Sequence, residues 1–505
     1  MRCPRFTITE TPVGPCYRFW NVANVNKPFR LLEGAHMIRL ARGAPFVDAL
    51  NLVYLLGGRQ REQATWYKGF RPDGSLDVDF TGLIEQLQAC LDQRYTPWLV
   101  LDNVPYPMSD PPTEASYGNT APPAAEHVWH RYVTAALEAI VDAFGQDTVS
   151  RWWFRVGTEP DLCPGHWSGT KQQYFDHYDF TVDAVTRLLP DVRIGPGNIL
   201  NPVEGEYGTQ HGNLWGVDII DHCATGRNAR TGGVGTRMDW FSCSWYGRVG
   251  VPMSMFDKAI GIMRERLGRY ERFADVPLCI GEFAVLHDEH GTRLYSGEAG
   301  EWGASFYAGI ADRVYHHGIE KVYEWHHATD GVPHPKGHVI AMLERMAGGH
   351  RLEVTPSLTP DRDSGVIASR RDDALYLLVY RHTTGREDGA ARTFTLTVDA
   401  ADVSAEGLTE WTVDATHAAW ARAFEADCRA AGVEPLPTAG RFEGGIEKAY
   451  GRRGLPVWRD HRERYAALAT LPETHDAQAA VADGRLTLTV PMTGHCVRLL
   501  RLPVR

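Results

Sequence analysis

Two carboxylates carry the chemistry that is most directly legible in this chain. Glu159 stands in Arg155-Val156-Gly157-Thr158-Glu159-Pro160-Asp161, just after the apolar run Trp152 to Val156. Glu282 stands in Cys279-Ile280-Gly281-Glu282-Phe283, at the end of the run that starts at Leu278. A single glutamate in such a place caps a helix or pairs with an arginine. Two that face one another are what cleavage of a glycosidic bond requires. One must be protonated to release the leaving oxygen, and the other ionised to attack or stabilise the anomeric carbon.

Several aromatic and histidine side chains fall near these positions. Trp325 ends the run Val322-Tyr323-Glu324-Trp325. There it either forms a stacking floor for a sugar ring or fills the core. Tyr246 is placed to hydrogen-bond a catalytic carboxylate, against ordinary packing, and Trp245, Trp167 and Tyr106 are further candidates for subsite walls. Among 21 His, the pairs His316-His317 and His326-His327 invite a metal reading. The first falls at a helix end, where imidazole suits the helix dipole. The second follows an apolar run, so His326 and His327 are candidate substrate contacts. Neither pair has the spacing of a metalloprotease or facial-triad site, and no metal or other cofactor is expected.

The elements that must position these residues alternate. Short apolar runs occur at Trp98 to Leu101, Trp152 to Val156, Val192 to Gly195, Trp240 to Trp245, Leu278 to Ile280 and Val322 to Trp325. Between them lie stretches with apolar residues every three or four positions. One runs from Val128 to Phe144, and others span Tyr174 to Leu189, Phe256 to Leu267 and Trp302 to Val314. Parallel strands need such crossovers. With Arg18 to Ala23, and either Met37 to Leu40 or Leu52 to Leu56, the strand count reaches eight. A (β/α)8 barrel is therefore expected over residues 18–348, with both glutamates at the C-terminal strand ends where such barrels gather their active sites. Neither G-x-G-x-x-G nor a P-loop opens a helix.

After about residue 350 the pattern becomes short alternating strands, at Gly365 to Ser369, Ala374 to Tyr380, Thr393 to Val398, Arg485 to Val490 and Cys496 to Leu502. An accessory β-sandwich over 349–505 is expected, with a helical or irregular insertion at about 415–470. Residues 1–17 join it through a strand at Cys3 to Thr9.

The chain has 505 residues, 43% of them hydrophobic and 15 of them Trp, which is ample for a packed core. Its net charge of −11 argues against nucleic acid or anionic lipid as partners. No apolar run is long enough to span a membrane. The opening residues lack the apolar stretch of a secretory signal, so a cytoplasmic location is expected. Nine scattered Cys, none in a C-x-x-C pair, suit buried free thiols rather than disulfides or zinc.

The two Glu contexts resemble the acid/base and nucleophile motifs of retaining glycoside hydrolases of clan A. The rest of the chain is most similar to family 39, the β-xylosidase and α-L-iduronidase family. Asp191-Val192-Arg193-Ile194-Gly195-Pro196-Gly197 is similar to its fifth-strand segment. Val322-Tyr323-Glu324-Trp325 with Pro335-Lys336 is similar to its eighth strand and following helix, and Thr412 to His417 to the opening of the insertion in its accessory domain. The resemblance implies Glu159 as acid/base, Glu282 as nucleophile and net retention of configuration through a glycosyl-enzyme. It also implies carboxyl groups about 5–5.5 Å apart.

This chain departs from the family pattern at two places. Thr158 stands where the family has an Asn that contacts the sugar 2-hydroxyl, and Ser244 stands where a His precedes Tyr246 by two residues. The expectation is a retaining exo-glycosidase acting on short oligosaccharides or small glycosides, β-xylosidase- or α-L-arabinosidase-like, with a different sugar or 2-position geometry. Two alternatives stand beside it: a non-hydrolytic carbohydrate-binding protein on the same barrel, and a metal-dependent hydrolase using the His pairs. The accessory domain offers a surface for homo-oligomeric association.

Overall fold

The structure is a computed structural model that describes residues 4–25, 44–58, 66–115, 117–203, 215–285, 294–359, 362–386, 389–399, 402–436, 445–482 and 485–504. Eight strands, Val22–Val25, Ala49–Leu52, Thr96–Leu101, Trp153–Val156, Arg193–Pro196, Phe241–Gly247, Leu278–Val285 and Lys321–Glu324, pair side by side, all parallel. The first joins the eighth. The fifth and sixth meet through the single bridge Ile199 to Cys243, which nearly closes the ring. Most of these strand residues are buried because helices cover the outside and side chains fill the inside.

The second strand is Ala49–Leu52, so the stretch after Leu52 is a turn rather than the expected strand. Met37 to Leu40 lies outside the described residues. The first strand begins at Val22 instead of Arg18, and the eighth ends at Glu324, one residue before Trp325. The crossover helices Glu126–Phe144, Lys171–Leu188, Ser254–Leu267 and Glu301–His317 lie where the apolar spacing places them.

Alternation along the strands sorts the barrel interior into layers. At one level Trp98, Trp153, Trp240 and Tyr323 pack with Val22, Ala49 and Cys279. Two residues further along, Trp153 gives way to Arg155, Ala49 to Asn51 and Val22 to Asn24. These form a polar layer, in which Asn51 donates to Asn24 at 2.7 Å and Asn24 donates to the Tyr323 carbonyl at 2.9 Å. The aromatic layer thus closes the N-terminal half of the barrel and leaves the C-terminal half for polar chemistry.

The second large unit is a ten-stranded sheet. Arg5–Pro15 lies within it, antiparallel to His350–Thr355 and parallel to Arg392–Val398. Leu375, Leu377 and Val379 share one core with Phe394, Leu396 and Leu488, so the continuous sheet folds over on itself as a sandwich. The strand Ala374–Arg381 is buried at every position. Leu375, Leu377 and Val379 face that core, while Ala374, Tyr376, Leu378 and Tyr380 belong to the barrel core. Helices Ala421–Ala430, Ile446–Tyr450 and Gly454–Leu468 lie between the strands Thr409–Val413 and Glu473–Thr474. Trp420, Phe424, Trp458 and Tyr465 pack there with Leu294, Ala299 and Val332 from the barrel. No described helix is long and apolar enough to cross a membrane.

Candidate active site

Glu159 follows the fourth strand, on backbone in the left-handed region with φ 39°, and its N–H donates to the Asn198 carbonyl at 3.0 Å. Glu282 lies within the seventh strand, and a register irregularity decides which way it points. Cys243 pairs with Ile280 but Ser244 pairs with Glu282, so Gly281 is an extra residue in the ladder. Ile280 and Phe283 both face the outer core, Phe283 against Phe306 and Tyr307. Plain alternation would turn Glu282 outward, and the bulge turns it inward. A side chain at position 281 has no room. A Cβ there would lie 2.6 Å from the Asn198 Cβ and 2.9 Å from the Ser242 Oγ.

The two carboxylates share one buried environment. Burial, followed by the nearby charge of Glu282, pushes the Glu159 carboxyl well above the usual carboxylate range, while Ser244 and Arg155 pull it down. Burial raises Glu282 too, against the opposing pull of Arg155, Tyr246 and Asn198. Tyr246 donates to Glu282 Oε2 at 2.5 Å, and the Arg155 guanidinium lies 4.0 Å from Oε1. The charge-stabilising partners thus crowd Glu282, and Glu159 is the carboxyl pushed further toward the protonated form.

The expected contacts divide. Tyr246 reaches Glu282, and the Nε1–H of Trp325, just after the eighth strand, donates to the Tyr246 hydroxyl at 3.2 Å. Trp245 points the other way. Between Ser244 and Tyr246, its side chain faces the helices and packs edge-on against Phe256 in the hydrophobic core. Period-two alternation excludes it from the wall of the site. Tyr106 is buried on a short 3-10 turn. Trp167 donates to the Thr170 carbonyl and packs on Tyr174.

Thr158 is buried beside the pair, with its hydroxyl proton given to Asp102 at 2.7 Å and its oxygen accepting from Arg155 at 3.0 Å. His326, at φ 53°, lies 3.7 Å from Glu298. His327 is buried edge-on to Phe46, and neither ring nitrogen has a hydrogen-bond partner. The other pair is structural: His317 meets Asp257 at 2.7 Å.

Four contributors escaped the reading of the sequence. His166 lies 3.5 Å from Glu159 Oε2, stacked on Tyr117 with ring centroids 4.1 Å apart. Asp102, at the end of the third strand, holds Thr158. Asn198 sits just beyond the fifth strand and donates to Ser244 Oγ at 2.6 Å. Lys336 is buried and bonds Glu298, Glu324 at 3.1 Å and the Trp325 carbonyl at 2.7 Å, fixing the backbone that carries Trp325. The rule that singled out Glu159, a polar residue ending a barrel strand, also marks Asp102 and Asn198. No local signal marks His166.

The family model for glycosyl hydrolases family 39 matches residues 56–285, which include both glutamates. The chain is 22% identical over 281 residues to an α-1,4-L-rhamnosidase of Formosa agariphila, covering 52% of this chain and 53% of that one. It is 24% identical over 213 residues to a β-xylosidase of Geobacillus stearothermophilus, covering 40% of each. Among solved structures, a monomeric β-xylosidase of Caulobacter crescentus CB15 superposes over 99% of both chains, with a TM-score of 0.73 and 15% identity. The chain is thus similar to the glycosyl hydrolases of family 39 over residues 56–285, and it shares its fold with a solved β-xylosidase. The matched segments span about half, or less, of these two sequence relatives' length. In this family 39-like chain the tyrosine beside Glu282 is kept, while Thr158 and Ser244 are tied into the site's own hydrogen bonds.

Proposed function

We propose that the chain is a retaining exo-glycosidase that removes a terminal sugar from short oligosaccharides or small glycosides by double displacement. The observation that carries this reading is the pair of buried carboxyls in unlike surroundings, Glu159 pushed well up and Glu282 surrounded by Tyr246, Arg155 and Asn198. Glu282, ionised, attacks the anomeric carbon while Glu159 gives its proton to the departing oxygen. A bond from carbon to Glu282 forms as the bond to the aglycone breaks. Glu159, now a carboxylate, takes a proton from water. The water oxygen then displaces Glu282 and releases the sugar with its configuration retained. Trp325 serves as the stacking floor beneath the sugar, and His326 and His327 as contacts at its rim. The division of labour follows the two units, with the reaction assigned to residues 18–348 and a supporting role to 349–505.

The relatives suggest which sugars to try first: α-L-rhamnosides and β-D-xylosides, then α-L-arabinosides, α-L-iduronides and the common hexosides. Release of an aryl leaving group across this panel tests the reading. Turnover is expected to fall at least about 10³-fold in Glu282→Gln. In Glu159→Ala, activated aryl glycosides should still form the glycosyl-enzyme, and azide should restore turnover. Activity unaltered in Glu282→Gln would refute the assignment.

A further inference from the structure

Glu159 needs both of its protonation states in turn. It gives up a proton in the first step and, as a carboxylate, takes one from water in the second. Its surroundings are weighted toward the protonated form. Burial pushes the carboxyl up, and the charges of Glu282 and Asp161 add to that, against the opposing pull of Ser244 and Arg155. Both counterweights are shared with other groups. Arg155 donates to Thr158 at 3.0 Å and stands 4.0 Å from Glu282, and Ser244 accepts from Asn198 at 2.6 Å.

His166 is a titratable group that the steps above leave unused. Its Nε2 lies 3.5 Å from Glu159 Oε2, and the two side chains are only 6% and 8% exposed. Backbone hydrogen bonds fix the turn between them. The Leu162 N–H donates to the Glu159 carbonyl at 2.9 Å, and the His166 N–H to the Leu162 carbonyl at 2.8 Å.

The plane of the imidazole is set by rings from two other loops. Tyr117 stacks on it, with centroids 4.1 Å apart and 11° between the planes, and the Tyr54 ring lies parallel to it at 6.5 Å. Both tyrosines are anchored in turn. The Tyr54 N–H donates to Asp102 at 2.7 Å, and the Tyr117 carbonyl accepts from Asn103 at 3.1 Å. Contact on the face of the imidazole leaves its edge, where Nε2 sits, turned toward Glu159. The face of a tyrosine ring attracts a cation, so this stack favours the imidazolium, whose Nε2 is a donor. A donor so placed stabilises a carboxylate more than a neutral carboxyl.

We propose that His166 is a positioning residue for the acid/base: its Nε2–H donates to the Glu159 carboxylate, holding that group in place and favouring the ionised form that the second step needs. This rests on the glycosidase reading above. In the glycosyl-enzyme the charge of Glu282 is consumed in the bond to the sugar, so Glu159 loses one of the influences that keep its proton. His166 supplies the donor that completes the change. Contacts of this length commonly shorten as a reaction proceeds.

The test replaces His166 by phenylalanine, which keeps a flat ring against Tyr117 and removes the nitrogen. Two readouts follow the Glu159 proton. With glutamate carboxyl carbons labelled with carbon-13, the Glu159 resonance is the one that disappears in Glu159→Gln, and its titration gives the pKa directly. The expected result is a Glu159 pKa about one unit higher in His166→Phe than in the natural protein. On the aryl glycoside that the panel identifies, the alkaline limb of kcat/KM should move up by the same amount.

A histidine that serves only in packing would lower activity at every pH and leave both midpoints in place, and that outcome overturns the proposal. A Glu159 pKa that falls in His166→Phe also overturns it, because Nε2 would then be accepting the carboxyl proton. His166→Leu, which likewise has no donor, takes its place if the phenylalanine variant does not fold. A natural protein that turns over no glycoside refutes the glycosidase reading instead, and the carbon-13 titration still decides the contact. A pKa raised in His166→Phe then supports it, and an unchanged one overturns it.

Discussion

At the residue scale, the difference between Glu159 and Glu282 is a matter of partners rather than of burial. Both are buried, and burial raises both. Tyr246, Arg155 and Asn198 favour the ionised form of Glu282, while the charge on Glu282 disfavours ionisation of Glu159. The pH profile of kcat/KM should therefore be bell-shaped. Its alkaline limb reports loss of the Glu159 proton as pH rises through its raised pKa, and its acidic limb reports protonation of Glu282. Removing the Tyr246 hydroxyl takes away a bond that lowers the Glu282 pKa, so Tyr246→Phe should move the acidic limb to higher pH. Its loss of kcat/KM should be about tenfold or more at pH 7 and larger at pH 5. An acidic limb that stays in place would separate Tyr246 from the ionisation of Glu282.

At the element scale, the seventh strand depends on its bulge. Gly281 re-aims Glu282, and a Cβ there would collide with Asn198 and Ser242, both held in the barrel interior. Gly281→Ala should cost stability, about 1–3 kcal/mol as for overpacking elsewhere, and displace Glu282 from Tyr246. The expected signature is a loss of kcat/KM of about 10²-fold or more in protein that still melts cooperatively. Chemical denaturation and steady-state kinetics on the same sample check it, and full activity would mean the ladder tolerates the added methyl group. The loop after the eighth strand is held in a comparable way. Lys336 ties the Trp325 carbonyl to Glu298 and Glu324, and the insertion reaches in from outside, where Trp458 donates to Asp330 at 3.0 Å and Trp420 to the Pro333 carbonyl at 2.9 Å. The accessory unit thus supports the loop that follows Trp325.

At the scale of the whole molecule, barrel and sandwich share a strand that is buried on both faces. Leu378 of Ala374–Arg381 belongs to the barrel core, while Leu377 and Val379 belong to the sandwich core. A strand common to two cores couples their unfolding. Leu378→Ala should destabilise the protein by about 2–5 kcal/mol and lower a single calorimetric transition. Two separate transitions, with only one of them shifted, would show that the units unfold independently.

Much of this architecture was determined by the sequence alone. The helix period between residues 126 and 317, six apolar runs and the change of pattern near residue 350 specify the barrel and the sandwich, because periodicity is a local property of the chain. Glu159, Glu282 and Tyr246 were singled out by their places in or just after apolar runs, and the barrel brings Tyr246 onto Glu282 and sets the charge of Glu282 near Glu159. Tertiary structure decided what depends on non-local contact. It set the second strand at Ala49–Leu52 and sent Trp245 outward while Trp325 reached Tyr246. It also brought His166, Asp102 and Asn198 to the carboxylates from three separate loops and strand ends. A hydrogen bond forms between atoms that the closed barrel makes neighbours, and no spacing along the chain encodes that meeting. Thr158 and Ser244 show the same limit: the sequence marks them as unusual, and only the folded barrel shows that Asp102 and Asn198 already hold their hydroxyls.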